Sequence, residues 1–145
     1  MTDKQSEVIA IIPARYHSNR FEGKPLARIM GKSMIQHVVE RALLVPLLSR
    51  VVVATDDERI AEEVRSFGGE VVMTRADHAS GTDRLAEAAG LLDISEHDIV
   101  VNIQGDQPLF PARVVEEVVG PMLADPALPM STLIYKIVRP DEIND

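Results

Sequence analysis

The stretch V-I-A-I-I-P-A-R-Y-H-S-N-R-F-E-G-K-P-L, Val8 to Leu26, decides the fold. Its first part, Val8 to Ile12, is an unbroken apolar run rich in β-branched residues. A run without polar alternation predicts a strand buried on both faces, as in a parallel sheet covered by helices. Pro13 is expected to end it. The second part, Pro13 to Lys24, sets Arg15, Arg20 and Lys24 against a single acid, Glu22. A compact basic loop directly after a buried strand suits a discrete polyphosphate, although a solvated basic surface loop has the same composition.

Working outward, Ser33 and Gln36 form an S-x-x-Q capping box ahead of Met34, Ile35, Val38, Val39, Ala42 and Leu43, whose spacing predicts an amphipathic helix to about Val45, closed by Pro46. Val51 to Ala54 reads as a second strand. Thr55 with Glu58 is expected to cap a helix ending at Gly68-Gly69, and Val71 to Met73 reads as a third strand. Ser80 with Asp83 opens a helix carrying Leu85, Ala86, Ala89 and Leu92, and Ile99 to Ile103 is a fourth strand. A helix from Pro111 to about Val119 should stop at Gly120-Pro121, and Met130 to Val138 reads as a fifth strand. Alternating strands and helices predict an α/β fold with a doubly wound, mostly parallel sheet and right-handed crossovers. The polar ending, Val138 to Asp145, follows a strand without a closing element, so the chain reads as one domain, 1–145, truncated at its C-terminus.

The bulk properties narrow the function. At 145 residues with 46% hydrophobic content, the chain can build one ordinary core. It has no cysteine, which excludes disulfides, zinc thiolates and a cysteine nucleophile, and the expectation is a cytoplasmic protein. A net charge of −8 argues against a nucleic acid polymer as partner, because a long phosphate backbone calls for an extended basic face. No apolar stretch approaches a membrane span, and Met1 to Glu7 lacks the pattern of an export signal.

In an open doubly wound sheet, ligands bind beyond the carboxyl ends of the strands where strand order reverses. With a strand order of 3-2-1-4, that crevice lies between the first and fourth strands. It is flanked by Pro13 to Lys24 and by Gln104 to Phe110. Cations on one loop facing Asp106 on the other suit phosphates with a divalent metal; the alternative is a turn-forming role, which Gly-Asp favours. A dinucleotide fingerprint is excluded because Pro13-Ala14-Arg15 stands where G-x-G would begin. A Walker loop is excluded because Leu26 occupies the required glycine position before Gly31-Lys32-Ser33, which reads as a turn and helix cap. The four histidines show no metal-ligand spacing, and Asp56-Asp57 reads as a helix cap.

Three ordered motifs carry a resemblance. Pro13-Ala14-Arg15 through Gly23-Lys24-Pro25-Leu26, then Met73-Thr74-Arg75-Ala76-Asp77-His78 with Ser80-Gly81-Thr82, then Asn102-Ile103-Gln104-Gly105-Asp106, are similar to those of the 3-deoxy-manno-octulosonate cytidylyltransferases, the CMP-Kdo synthetase family. The similarity covers nearly the whole chain from Val8, and members of that family are substantially longer. It implies a Rossmann-like nucleotide-diphospho-sugar transferase fold. It also implies transfer of CMP from CTP to the sugar acid Kdo, with Mg2+ and release of pyrophosphate, for lipopolysaccharide synthesis.

By the resemblance, Arg15 and Lys24 hold phosphates with Arg20 as a third cation, and Asp106 binds the metal. Arg15, Lys24 and Asp106 are thus the expected catalytic set. Arg75, Ser80 and Thr82 are candidates for the base and ribose, with Ser80 equally explained as a helix cap. Gln104 is a candidate for the cytosine edge, or for satisfying backbone at the strand end. Glu22 stands where relatives often carry proline, placing a negative charge beside the phosphate grip. Gln107 stands where glutamate is usual. The expected sugar site and any homodimer interface lie beyond Asp145, so the chain alone should bind CTP weakly and turn nothing over. The alternatives are a cytidylyltransferase for sialic acid or an amino-Kdo analogue, or a non-catalytic nucleotide-binding domain.

Overall fold

The computed structural model describes residues 7–17, 22–75, 81–95, 97–105, 112–125 and 127, with only the backbone of Gly81 and Thr82. Four strands form a parallel sheet: β1 (Val8–Ala14), β4 (Arg50–Thr55), β5 (Glu70–Met73) and β6 (Ile99–Asn102), in the order β5-β4-β1-β6. This is the 3-2-1-4 order expected. Two short strands, β2 (Arg28–Ile29) and β3 (Lys32–Ser33), make an antiparallel hairpin that the sequence reading did not contain. Met30 and Gly31 at its tip both have positive φ, 53° and 83°, the signature of a tight primed turn.

Side-chain alternation along β1 sets the layers. Val8, Ala10, Ile12 and Ala14 face one core with α1 (Met34–Leu43), α2 (Glu58–Ser66) and α4 (Ala112–Ala124). Ile9 and Ile11 face the other, against Ala88 of α3 (Gly81–Leu91), with Leu85, Ala89 and Leu92 packed around it. Ile9, Ile11 and Ile12 are at most 1% exposed, and each such side chain contributes about 1.5–3 kcal/mol by leaving water. Between β5 and β6 the chain reverses direction across the sheet and changes face together, which keeps the crossover hand unchanged. That reversal creates the crevice between β1 and β6.

Several boundaries differ from expectation for physical reasons. Pro13 does not end β1; it pairs with Ala54 inside the β1–β4 ladder. The carbonyl of Ile11 accepts from Ile103 on the β6 side, so Pro13, two residues on, turns its missing N–H the same way, where the β6 ladder has already ended at Asn102. Gly120-Pro121 lies inside α4, which runs on to Ala124. Gly120 has no Cβ to clash with the proline ring, and one turn remains to be completed. α1 stops at Leu43 rather than Val45. Of the two readings at the start of α2, the cap at Asp56-Asp57 holds for Asp57 and the cap at Thr55 does not: the Asp57 carboxylate accepts from the Arg59 and Ile60 amides at 2.9 and 3.4 Å, while Thr55 Oγ1 accepts from Asp57 N–H at 3.2 Å. Ser33 caps α1 as expected, accepting from Gln36 N–H at 3.3 Å, but the Gln36 side chain donates to Glu40 instead of closing the box. The strand expected over 130–138 lies outside the described residues.

Candidate nucleotide site

The end of β1, the short 3-10 helix at Lys24–Leu26 and the turn after β6 enclose a cleft of about 190 Å³. Pro13, Ala14, Arg15, Lys24, Pro25, Gln104 and Gly105 line it. Three of the sequence-predicted residues, Arg15, Lys24 and Gln104, therefore meet in one place, at the switch point. The walls stand close because Gly105 has no side chain: a Cβ there would lie 3.2 Å from the Pro13 carbonyl oxygen and 3.7 Å from Ala14 Cβ. Pro25 is buried in the lip, which fixes Lys24 at the rim.

The basic loop is braced from below. Gly23 N–H donates to the Tyr16 carbonyl at 2.7 Å, and Leu26 N–H to the Gly23 carbonyl at 2.9 Å. The Tyr16 ring lies against Gly23, and the Arg59 guanidinium carbon stands 3.3 Å from the ring centroid. Arg59 in turn grips Asp57 with two hydrogen bonds, Nε to Oδ1 at 3.1 Å and Nη2 to Oδ2 at 2.7 Å. The Arg59 side chain, followed by the Arg59 and Ile60 amides that donate to it, holds the Asp57 carboxyl below its ordinary range despite burial pushing it up. A chain of contacts thus runs from α2 through Arg59 and Tyr16 to the loop. Glu22, expected to place a negative charge beside the phosphate grip, has its carboxylate 2.9 Å from His17 Nδ1, an exposed pair in the same loop.

Arg75 does not line the cleft. It follows β5, two strands from β1, about 10 Å across the sheet. Thr82 lies in the first turn of α3, and Arg20, Ser80 and Asp106 fall outside the described residues. Among the described residues no group of three or more histidines and carboxylates is placed to hold a metal, and no helix is long and apolar enough to cross a membrane. Sequence reasoning missed Tyr16, Arg59, Arg84 and Glu87, and read Asp56 only as part of a helix cap, not as a partner of Arg84. Arg84 alone left a readable signal: it is a charge four residues before Ala88 on the buried face of α3.

A cytidylyltransferase family model matches residues 9–145. The chain belongs to the cytidylyltransferase family. Within that family, a 3-deoxy-manno-octulosonate cytidylyltransferase of Syntrophus aciditrophicus is 58% identical over 137 residues, 94% of this chain and 55% of the relative. An 8-amino-3,8-dideoxy-manno-octulosonate cytidylyltransferase of a Shewanella strain is 53% identical over 139 residues, 95% of this chain and 57% of the relative. A solved CMP:2-keto-3-deoxy-manno-octonic acid synthetase complexed with CTP superposes with a TM-score of 0.80 at 52% identity, covering 86% of this chain and 50% of that one. The chain thus spans about half the length of the cytidylyltransferases it matches.

Proposed function

We propose that this chain forms the nucleotide half of an enzyme transferring CMP from CTP to 3-deoxy-manno-octulosonate, in lipopolysaccharide synthesis. The observation that carries the reading is the switch-point cleft with Arg15 and Lys24 on one lip and Gln104-Gly105 on the other. It occurs in a chain that is 52% identical to a synthetase solved with CTP. Two cations beside a narrow cleft suit a triphosphate, which needs positive charge as its leaving group gains negative charge. In the reaction, the anomeric hydroxyl oxygen of the sugar forms a bond to the α-phosphorus of CTP as the bond to pyrophosphate breaks, and the hydroxyl proton passes to solvent.

The protein's part is to hold these groups in line. Arg15 and Lys24 bind and orient the triphosphate, Arg20 adds a third cation, and Gln104 hydrogen-bonds the cytosine edge. Arg75, Ser80 and Thr82 serve the ribose and base. Asp106, next after the close-packed Gly105, is the residue that would meet Mg2+. When bound, that ion supplies further positive charge against the leaving pyrophosphate.

The test is direct. Calorimetry on the 145-residue chain should detect weak CTP binding in the presence of Mg2+, and Lys24→Ala should weaken it about tenfold, the loss of one charge-assisted contact. Unchanged CTP affinity in Lys24→Ala sinks the phosphate assignment. At the relatives' full length, pyrophosphate release with CTP, Mg2+ and Kdo tests the reaction. The same assay with the 8-amino sugar decides between the two substrates named for the relatives.

A further inference from the structure

Arg75 stands beyond the end of β5, which stops at Met73, yet both of its backbone groups are held. The Glu87 carboxylate accepts from Arg75 N–H at 3.0 and 3.1 Å. Arg84 Nη1 donates to the Arg75 carbonyl at 3.3 Å and also to Thr74 Oγ1. Arg84 and Glu87 are three residues apart on α3 and so share one face of the helix. Two side chains of a helix thus take the place of a neighbouring strand.

The grip is anchored at a second strand end. Arg84 Nη1 lies 3.5 Å from Asp56 Oδ1, directly after β4, and Thr74 N–H donates to the Thr55 carbonyl at 2.8 Å. Arg84 is only 5% exposed. Burying a guanidinium costs several kcal/mol of lost hydration, and an apolar residue of similar volume often fills such a space with equal or better stability. The distinct contribution of Arg84 is geometric: one group ties the ends of β4 and β5 to the start of α3.

We propose that Arg84 and Glu87 are positioning residues for the nucleoside side of the site, clamping the Arg75 backbone so that this segment meets the base and ribose while Arg15 and Lys24 hold the phosphates. The inference rests on the nucleotide-binding reading above. It divides the site into two supports: phosphates on the β1 and β6 ends, nucleoside on side chains of α3.

Two ligands separate the supports. The chain is titrated with CTP and with inorganic tripolyphosphate, both with Mg2+, and amide exchange of Arg75 is followed by NMR. In Glu87→Ala, CTP binding should weaken about five- to twentyfold while tripolyphosphate stays within about twofold, because the charge-assisted grip of Glu87 on the Arg75 N–H is lost on the nucleoside side only. Arg75 N–H should exchange at least about tenfold faster. Glu87→Gln, which keeps a carbonyl acceptor, should restore most of the CTP affinity. Arg84→Lys keeps the charge without the planar fork and should shift the same ratio; it serves as the second variant if Glu87→Ala does not fold. Equal losses for both ligands, or an unchanged ratio, overturn the clamp while leaving the nucleotide reading intact. Wild-type chain that takes up neither ligand overturns the nucleotide reading and the clamp's role with it, even where Arg75 N–H stays protected.

Discussion

Gly23→Ala probes the brace under the basic loop. Gly23 has φ +73°, and a Cβ there would lie 2.9 Å from Tyr16 Cε2 and 3.2 Å from Tyr16 Cζ. Two effects add. The left-handed conformation costs an L-residue about 1–2 kcal/mol, offset by about 0.4–1 kcal/mol from stiffening the unfolded chain, which leaves about 1 kcal/mol. The ring must also move, and it is held from another side by Arg59, 3.3 Å from its centroid, with the His17 ring edge-on at 5.4 Å. Weakening an exposed cation–π contact forfeits up to about 0.5–1 kcal/mol, and pushing the ring off its rotamer costs about 0.5–1.5 kcal/mol. With partial relaxation the second effect comes to about 1 kcal/mol, so Gly23→Ala should destabilise by about 2 kcal/mol in total.

Two other glycines provide the controls. Gly31 and Gly68 both have φ +83° but open space where a Cβ would stand, so Gly31→Ala and Gly68→Ala should each cost about 1 kcal/mol, the conformational share alone. Urea denaturation followed by circular dichroism reads all three. Placing Gly23→Ala in a Tyr16→Ala background should remove its excess over the controls. A Gly23→Ala cost no larger than the controls, or an excess that survives without the Tyr16 ring, refutes the brace. Because Lys24 is the next residue, the same variant should also weaken tripolyphosphate binding, which Gly68→Ala should leave alone.

Ser33→Ala should cost about 1 kcal/mol and Ser33→Gly only a few tenths, since glycine tolerates the cap position without the hydroxyl; equal costs in urea melts would mean that the bond to Gln36 is no cap. Asp57 gives a pH dependence. Its native carboxyl is held below the ordinary range, chiefly by Arg59, so the unfolded chain binds its proton first as pH falls into the acid range. Its contribution is present in full above the ordinary aspartate value of about 4 and is lost as pH falls through the depressed native value. Asp57→Asn should therefore flatten the acid limb of the stability profile between those values. An identical limb in the variant would show that the Asp57–Arg59 pair adds nothing.

The sheet was legible because its signal is repetitive. Each of the four strands is an apolar run bounded by polar or turn residues, and the order 3-2-1-4, taken as the premise that puts the basic loop at a reversal, is the order found. What failed were readings of single residues as punctuation. Proline ends a strand only where its missing N–H would face a partner; at Pro13 the β6 ladder has already ended at Asn102. Proline ends a helix where it meets the preceding Cβ; at Pro121 that residue is Gly120. The β2–β3 hairpin has two residues per strand, too few to express a period of two.

The site divides along the same line. Arg15, Lys24 and Gln104 were legible because each follows a strand end or turn whose place in the sheet is set by topology, so naming the strands names the neighbours. Arg59 over Tyr16, and Arg84 with Glu87 around Arg75, join segments on different elements, and no local pattern encodes which partner an arginine meets. Arg84 is the informative exception, since an ionised group on an apolar helix face must be satisfied by something. That difference carries a physical consequence. Phosphate held by rim cations is open to screening by salt, whereas a backbone fixed through an arginine that is 5% exposed is shielded from it. Raising ionic strength should therefore weaken tripolyphosphate more steeply, in relative terms, than it alters the preference for CTP over tripolyphosphate, because that preference rests on a support anchored by the buried Arg84.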